Sequence, residues 1–197
     1  GTDRFVAVGP GDLRMWSDDG VAWNVLPTTG QVWTDVAYGE GLFMAVGFDG
    51  ARAYSIDGDT WVDQSAGGNA WTAVAFGEGR FVAVGELGSL SVADGTTGWT
   101  DDTVAAEDLS SVAFGNGTWA ICLPTAEMIR SVDLQNFERI GAIDVVQHLA
   151  FGDGVFLGIG LGTERYRSAD LDVWETTADD DGGAVLRGVS YFDGAHL

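Results

Sequence analysis

The stretch WTDVAYGEGLFMAVGFDGARAYSIDGDTW, from Trp33 to Trp61, is followed by WTAVAFGEGRFVAVGELGSLSVADGTTGW, from Trp71 to Trp99, at an offset of 38 residues. The aromatic that opens the second apolar run of each copy falls at Phe5, Phe43, Phe81, Trp119 and Phe156, spaced 38, 38, 38 and 37. The preceding run is anchored at Val36, Val74, Val112, Leu149 and Val189. A constant period of this length restricts the fold to architectures built by stacking one supersecondary unit on copies of itself. The last spacing, Leu149 to Val189, is longer and holds the acidic segment Asp179 to Gly183, read as a loop insertion.

Within one period the chain resolves into four short pieces, seen most clearly at Trp33–Tyr38, Leu42–Val46, about Ala51–Ser55, and from Trp61 onward. Each is rich in Val, Phe, Tyr or Trp, and the Gly and Asp turns GEG, GFDG and DGDT separate them, which is strand and turn chemistry. With 30 Gly in 197 residues, hardly any stretch is long enough for a helix. Four strands every 38 residues make a small antiparallel sheet. Runs such as FVAVG, Phe81–Gly85, leave both of its faces apolar, so each sheet must be covered on both sides by its neighbours.

The reading is an all-β, five-bladed β-propeller with four-stranded antiparallel blades, residues 1–197 forming one domain with repeats beginning near 5, 43, 81, 119 and 156. The chain enters in a second strand and leaves after a first strand at 186–191. These two are expected to share one closing blade, making the ring a monomer.

Four of the turns between third and fourth strands read SDDGVAW (17–23), SIDGDTW (55–61), SVDLQNF (131–137) and SADLDVW (168–174). The third copy departs to ADGTTGW (93–99), and the fourth and fifth lose the Gly. This pattern resembles the Asp-box, or BNR-type, repeat of sialidase-like β-propellers. The resemblance implies a structural role for Ser17, Asp19, Ser55, Asp57, Ser131, Asp133, Ser168 and Asp170: the Asp accepts backbone N–H bonds and the terminal Trp wedges between blades. The box occurs in enzymes and binding modules alike, so it speaks for the fold rather than for an activity. No cofactor is expected, with calcium at the Asp-rich turns as the alternative reading.

Thirty acids against nine Arg and no Lys give a net charge of −21, a field that repels nucleic acid and anionic membranes and favours cationic or neutral partners. No apolar run is long enough to span a bilayer. Cys122 stands alone in an apolar run and reads as a small buried hydrophobe. His148, His196 and Cys122 are too scattered to suggest a zinc site. An extracellular or cell-surface location is expected.

Three repeat-equivalent arginines, Arg14, Arg52 and Arg165, occupy a third-strand position filled elsewhere by Leu90 and Met128. Their likeness to the arginine triad of sialidases implies an anion clamp; the plainer reading is a packed stem with the head reaching the rim. The loops are short for a catalytic cleft, so a glycoside hydrolase ranks third among the readings and no catalytic residue is assigned. The positions that vary between repeats are Trp16, Tyr54, Val92, Arg130 and Arg167 on the third strand, and Asp35, Ala73, Ser111, His148 and Gly188 on the first. A non-catalytic, lectin-like module binding carbohydrate near Trp16, Asp35 and Tyr54, with the three arginines as further ligand contacts, is the leading expectation. A protein-interaction or display propeller belonging to a larger secreted or surface protein is the alternative.

Overall fold

The computed structural model describes residues 4–142, 144–162, 164–178 and 189. The five sheets follow chain order. The first is three-stranded: β1 (Phe5–Gly9), β2 (Leu13–Ser17) and β3 (Asn24–Val25). The second is β4 (Trp33–Gly39), β5 (Leu42–Gly47), β6 (Arg52–Ser55) and β7 (Val62–Asp63). The third is β8 (Trp71–Gly77), β9 (Arg80–Gly85), β10 (Ser89–Ala93) and β11 (Trp99–Thr103). The fourth is β12 (Ser111–Gly115), β13 (Thr118–Cys122), β14 (Glu127–Ser131) and β15 (Glu138–Gly141). The fifth is β16 (Val146–Gly152), β17 (Val155–Gly160), β18 (Glu164–Ser168) and β19 (Glu175–Ala178). All pairings are antiparallel, and single turns of 3-10 helix lie at Phe48–Gly50 and Glu86–Gly88. The expected closing strand at 186–191, apart from Val189, lies outside the described residues, as do the acidic segment 179–183, Gly188 and His196.

Contacts divide the chain into two compact units, Gly1–Ala106 with the first three sheets and Glu107–Leu197 with the last two. In the first unit β1 packs beside β4, and β4 beside β8; in the second β12 packs beside β16.

The first two strands of the second to fifth sheets meet at turns whose leading residues, Glu40, Glu78, Asn116 and Asp153, have φ of 49, 49, 49 and 48°, each followed by a Gly with positive φ. Two consecutive positive φ values suit a two-residue hairpin, because that turn's twist matches the twist of the strands it joins. Across each turn an aromatic pair closes the hairpin: Tyr38–Phe43 at 4.7 Å, Phe76–Phe81 at 4.8 Å, Phe114–Trp119 at 4.8 Å and Phe151–Phe156 at 4.9 Å. The second ring of every pair is buried, and each such burial stabilises the sheet stack by roughly 2 to 3 kcal/mol.

Neighbouring sheets approach so closely that a side chain at Gly39 would land 2.0 Å from the Phe76 ring, and one at Gly115 would land 2.0 Å from Phe151. The first strands are also tied across the stack. The Thr34 hydroxyl reaches the carbonyls of Val46 and Trp71, and the Val74 N–H donates to Asp35 at 2.9 Å. In the second unit the Leu149 N–H donates to Ser111 at 3.1 Å, the position equivalent to Asp35.

Sheets apolar on both faces, as expected, hold for the inner strands: Phe81 to Gly85 are all buried. The fourth strands differ. β3 and β7 are fully exposed, and β11 and β15 almost so, carrying Asp63, Asp101, Asp102, Glu138 and Arg139. The outermost strand has no neighbour on its far edge, so water rather than another sheet meets it there, and charged residues also guard that open edge.

Candidate functional site

At the third-strand arginine position the register pairs Val8 with Arg14 and Val46 with Arg52, confirming that the two are equivalent. The reading of a head reaching the rim is corrected for both. The Arg14 side chain is 7% exposed and the Arg52 side chain 4%. Each guanidinium sits between two tryptophans of the next repeat: Arg14 over Trp33 (5.4 Å) and Trp61 (5.9 Å), Arg52 over Trp71 (4.4 Å) and Trp99 (5.1 Å). Flat, weakly hydrated guanidinium can be buried this way because the ring faces partly replace water. In the second unit the same slot is apolar, with Met128, Val146 and half-buried Trp174 in one cluster.

The two arginines share no partner, so they do not form one clamp. Arg165 is exposed. In the first repeat the buried carboxylate of Asp12 organises the slot. It accepts from the Thr29 and Gly30 N–H groups, from the Thr29 hydroxyl at 3.1 Å and from the Trp33 indole N–H at 3.0 Å, and lies 3.9 Å from Arg14 Nε. Arg14 also donates to the Pro27 carbonyl at 3.4 Å.

In the second repeat the residue equivalent to Asp12 is Gly50, where a Cβ would lie 2.2 Å from the Gly67 carbonyl oxygen. No carboxylate of the described residues reaches the indole there. Arg52 Nη2 pairs with Asp101 at 2.6 Å, while Arg52 Nε and Trp71 Nε1 are buried with no hydrogen-bond partner among the described residues. Beside them opens a cleft of about 310 Å³ lined by Arg52, the Gly67–Asn69 backbone, Trp71, Ser89 and Asp101–Thr103. Asp101 also accepts from the Ser91 hydroxyl, and Asn69 donates to Ser89 at 2.9 Å. Unpaired donors and carboxylates lining one opening make this cleft the strongest candidate for a ligand.

The four Ser–Asp turns repeat one hydrogen-bond pattern. In each, the Ser hydroxyl oxygen accepts two backbone N–H groups and one Asp oxygen accepts two more: Asp19 from Val21 and Ala22, Asp57 from Asp59 and Thr60, Asp133 from Gln135 and Asn136, Asp170 from Asp172 and Val173. Those N–H bonds favour the charged form and hold all four carboxyls below the usual range, Asp133 at about 2. The closing Trp23, Trp61 and Trp174 indoles donate to the carbonyl three residues back, and Trp61 packs against Trp33, Ala45 and Ala53. Where Gly is lost, Leu134 and Leu171 adopt φ of 59 and 70° and bury their side chains. The strain of about 1 kcal/mol is offset by roughly 2 kcal/mol of burial. Among the described residues no group of three or more His, Cys, Asp and Glu stands together as a metal cage. Burial pushes the Cys122 thiol up to about 12.

The residues expected to hold sugar are engaged elsewhere. Arg4 lies 3.8 Å over the Trp16 ring and the Trp16 indole donates to Asp59 at 3.1 Å. Tyr54 packs against the cluster of Met44, Trp71 and Phe81. Asp35 ties β4 to β8 through Val36 and Val74, and loss of water raises its carboxyl to about 6 against the pull of those two N–H bonds. Arg130, at the Trp16 position, is held by Glu138 and Asp172 at 2.8 Å each, beside a cleft of about 460 Å³ that includes Ser131, Asn136 and Phe137.

No protein-family profile matches this sequence, and no curated relative does. Among solved structures it is similar to YCF48 bound to D1 peptide, at 14% identity and a TM-score of 0.66, over 86% of this chain and 62% of that one. It is also similar to YCF48 from Cyanidioschyzon merolae, at 11% identity and a TM-score of 0.66, over 88% of this chain and 67% of that one. The likeness is one of fold: a β-propeller repeat. The chain spans about 62% of the length of the first of these structures.

Sequence reading missed Asp12, Gly50, Trp71 and Asp101. Their signal lay in aligning the repeats further: Arg14 and Arg52 coincide with Trp33 and Trp71, Met128 with Val146, and Asp12 stands where the next repeats have Gly50 and Gly88.

Proposed function

We propose that this chain is a protein-binding module, a propeller of five blades closed by the 186–191 strand, which takes basic peptide segments of a partner. The observation that carries this over the lectin reading is the Arg4 guanidinium over Trp16. A sugar ring needs an open aromatic face, and that face is covered, while Tyr54 is half-buried against the cluster of Met44, Trp71 and Phe81. The fold likeness to a propeller in complex with a peptide supports the same reading. The net charge of −21 gives the sign of the partner, since like-signed segments are repelled at encounter.

Paired peptide and glycan arrays test this reading. Lys- and Arg-rich peptides are expected to bind with affinity that falls as salt rises, and glycans to stay silent. Glycan binding without peptide binding would restore the lectin. The ring is tested by small-angle scattering: a closed monomer of this length has a radius of gyration of about 16 Å, and a clearly larger value rules closure out.

A further inference from the structure

We infer that the Arg52–Trp71 cleft binds a carboxylate supplied by the partner peptide, in the role that Asp12 fills within the first repeat. The inference rests on the peptide-binding reading and names the chemistry of one subsite. Its basis is an internal comparison. In the first repeat one carboxylate takes the Trp33 indole N–H, two consecutive backbone N–H groups and the Thr29 hydroxyl, with Arg14 Nε 3.9 Å behind it. In the second the Arg and Trp are kept and the carboxylate is gone, because Gly50 replaces Asp12 and the Gly67 carbonyl leaves no room for a side chain there.

The consequence is an orphan donor, Trp71 Nε1, on a residue only 4% exposed, whereas the equivalent Trp33 indole is bonded; the neighbouring Arg52 Nε lacks a hydrogen bond as Arg14 Nε does, but without the carboxylate that lies 3.9 Å from Arg14 Nε. Buried donors without an acceptor are costly, and a charged acceptor recovers the most. The counterparts of Thr29 and Gly30 are Gly67 and Gly68, both exposed, with φ of 72 and 108° and open space where side chains would be. A segment without side chains can shift to admit a ligand group to the indole and can present its N–H groups to it. Where the slot carries no arginine, as at Met128 with Val146, the two facing side chains are apolar and need no acceptor.

The cleft also selects what stands beside the carboxylate. Asp101 and Asp102 line its outer wall, and Asp101 is 59% exposed although it pairs with Arg52. A bare carboxylate such as acetate binds weakly beside these acids, whereas a carboxylate next to a basic side chain meets both charges. The ligand class is therefore a peptide carboxylate adjoining Lys or Arg, from either a chain terminus or an Asp or Glu side chain.

The test follows the Trp71 indole N–H resonance of the whole chain, assigned by its loss in Trp71→Phe, during titration with N-acetylated peptides. One ends in Lys with a free carboxylate, one is its C-terminal amide, one is an amide with internal Glu-Lys, and one ends in Ala with a free carboxylate. The inference expects the free Lys terminus or the Glu-Lys peptide to move the Trp71 resonance and to bind about ten-fold or more tightly than the plain amide, the better of the two identifying the source. The Ala terminus should be weaker than the Lys terminus. Equal affinities for free acid and amides, or binding that leaves the Trp71 resonance in place, overturns the subsite while the peptide-binding reading stands. If no arrayed peptide binds but sodium acetate moves the Trp71 resonance, the subsite stands and the proposed function falls. Arg52→Met, which places the residue of the fourth repeat in the second, should abolish the preference for the free acid; a preference that survives it also overturns the inference.

Discussion

The inter-sheet slots of the two units are filled by different chemistry at the same register. In Gly1–Ala106 a guanidinium lies between two tryptophans, twice; in Glu107–Leu197 the thioether of Met128 packs with Val146 and Trp174. The apolar slot is complete as soon as its volume is filled. The polar slot has a second requirement, an acceptor for every buried N–H. Asp12 meets it for the Trp33 indole in the first repeat and nothing among the described residues meets it for Trp71 in the second, so two blades can be packed alike and unequally satisfied.

Removing Asp12 should break this comparison most severely. Asp12→Ala strands the Trp33 indole, two backbone N–H groups and Arg14, and should lower unfolding free energy by about 4 kcal/mol in urea titration. Sodium acetate should restore part of that loss if the donor set accepts an external carboxylate; sodium chloride at equal ionic strength should not.

Next in size is Asp35, which takes the inter-sheet place that Ser111 takes in the second unit. Its folded pKa, about 6, lies above the ordinary 3.8, so its contribution is most favourable at low pH and is lost as pH rises through 6. Asp35→Ser should therefore gain on the parent by about 2 to 3 kcal/mol between about pH 4 and about pH 7, read as the difference in urea midpoints. A constant difference across that range would mean that the carboxyl is not desolvated.

Arg52→Met should be the mildest of the three, within about 1 kcal/mol of the parent, because a buried charge gives way to a side chain that already fits this slot in the fourth repeat. Arg52→Ala, which leaves the slot empty between Trp71 and Trp99, should cost about 2 to 3 kcal/mol. If both variants lose the same amount, volume is not what the slot demands.

The repeat, its strands and the Ser–Asp turns were legible because their causes are local. Alternating apolar residues, the GEG and GNG hairpins and the bonds from Asp57 to residues two and three further on all lie within a few positions of one another. Loss of the turn Gly in SVDLQNF and SADLDVW was ambiguous for the same reason. Leu134 and Leu171 keep the turn by burying their side chains, and a local pattern carries no record of what they pack against. Trp16 was legible as an aromatic that varies between repeats; Arg4 stands at the position of Leu42 and Arg80, and nothing in that spacing says that its guanidinium lies over Trp16.

The amino-acid order alone therefore settled the period, the strand content and the turn geometry, because each follows from backbone propensity and from alternation along one strand. Only the folded chain decided which of its equivalent positions are satisfied. The acceptor for Trp33 comes from Asp12, 21 residues away, and no described residue supplies one for Trp71. Hydrogen-bond balance is a property of groups brought together from separate repeats, and spacing along the chain does not encode it.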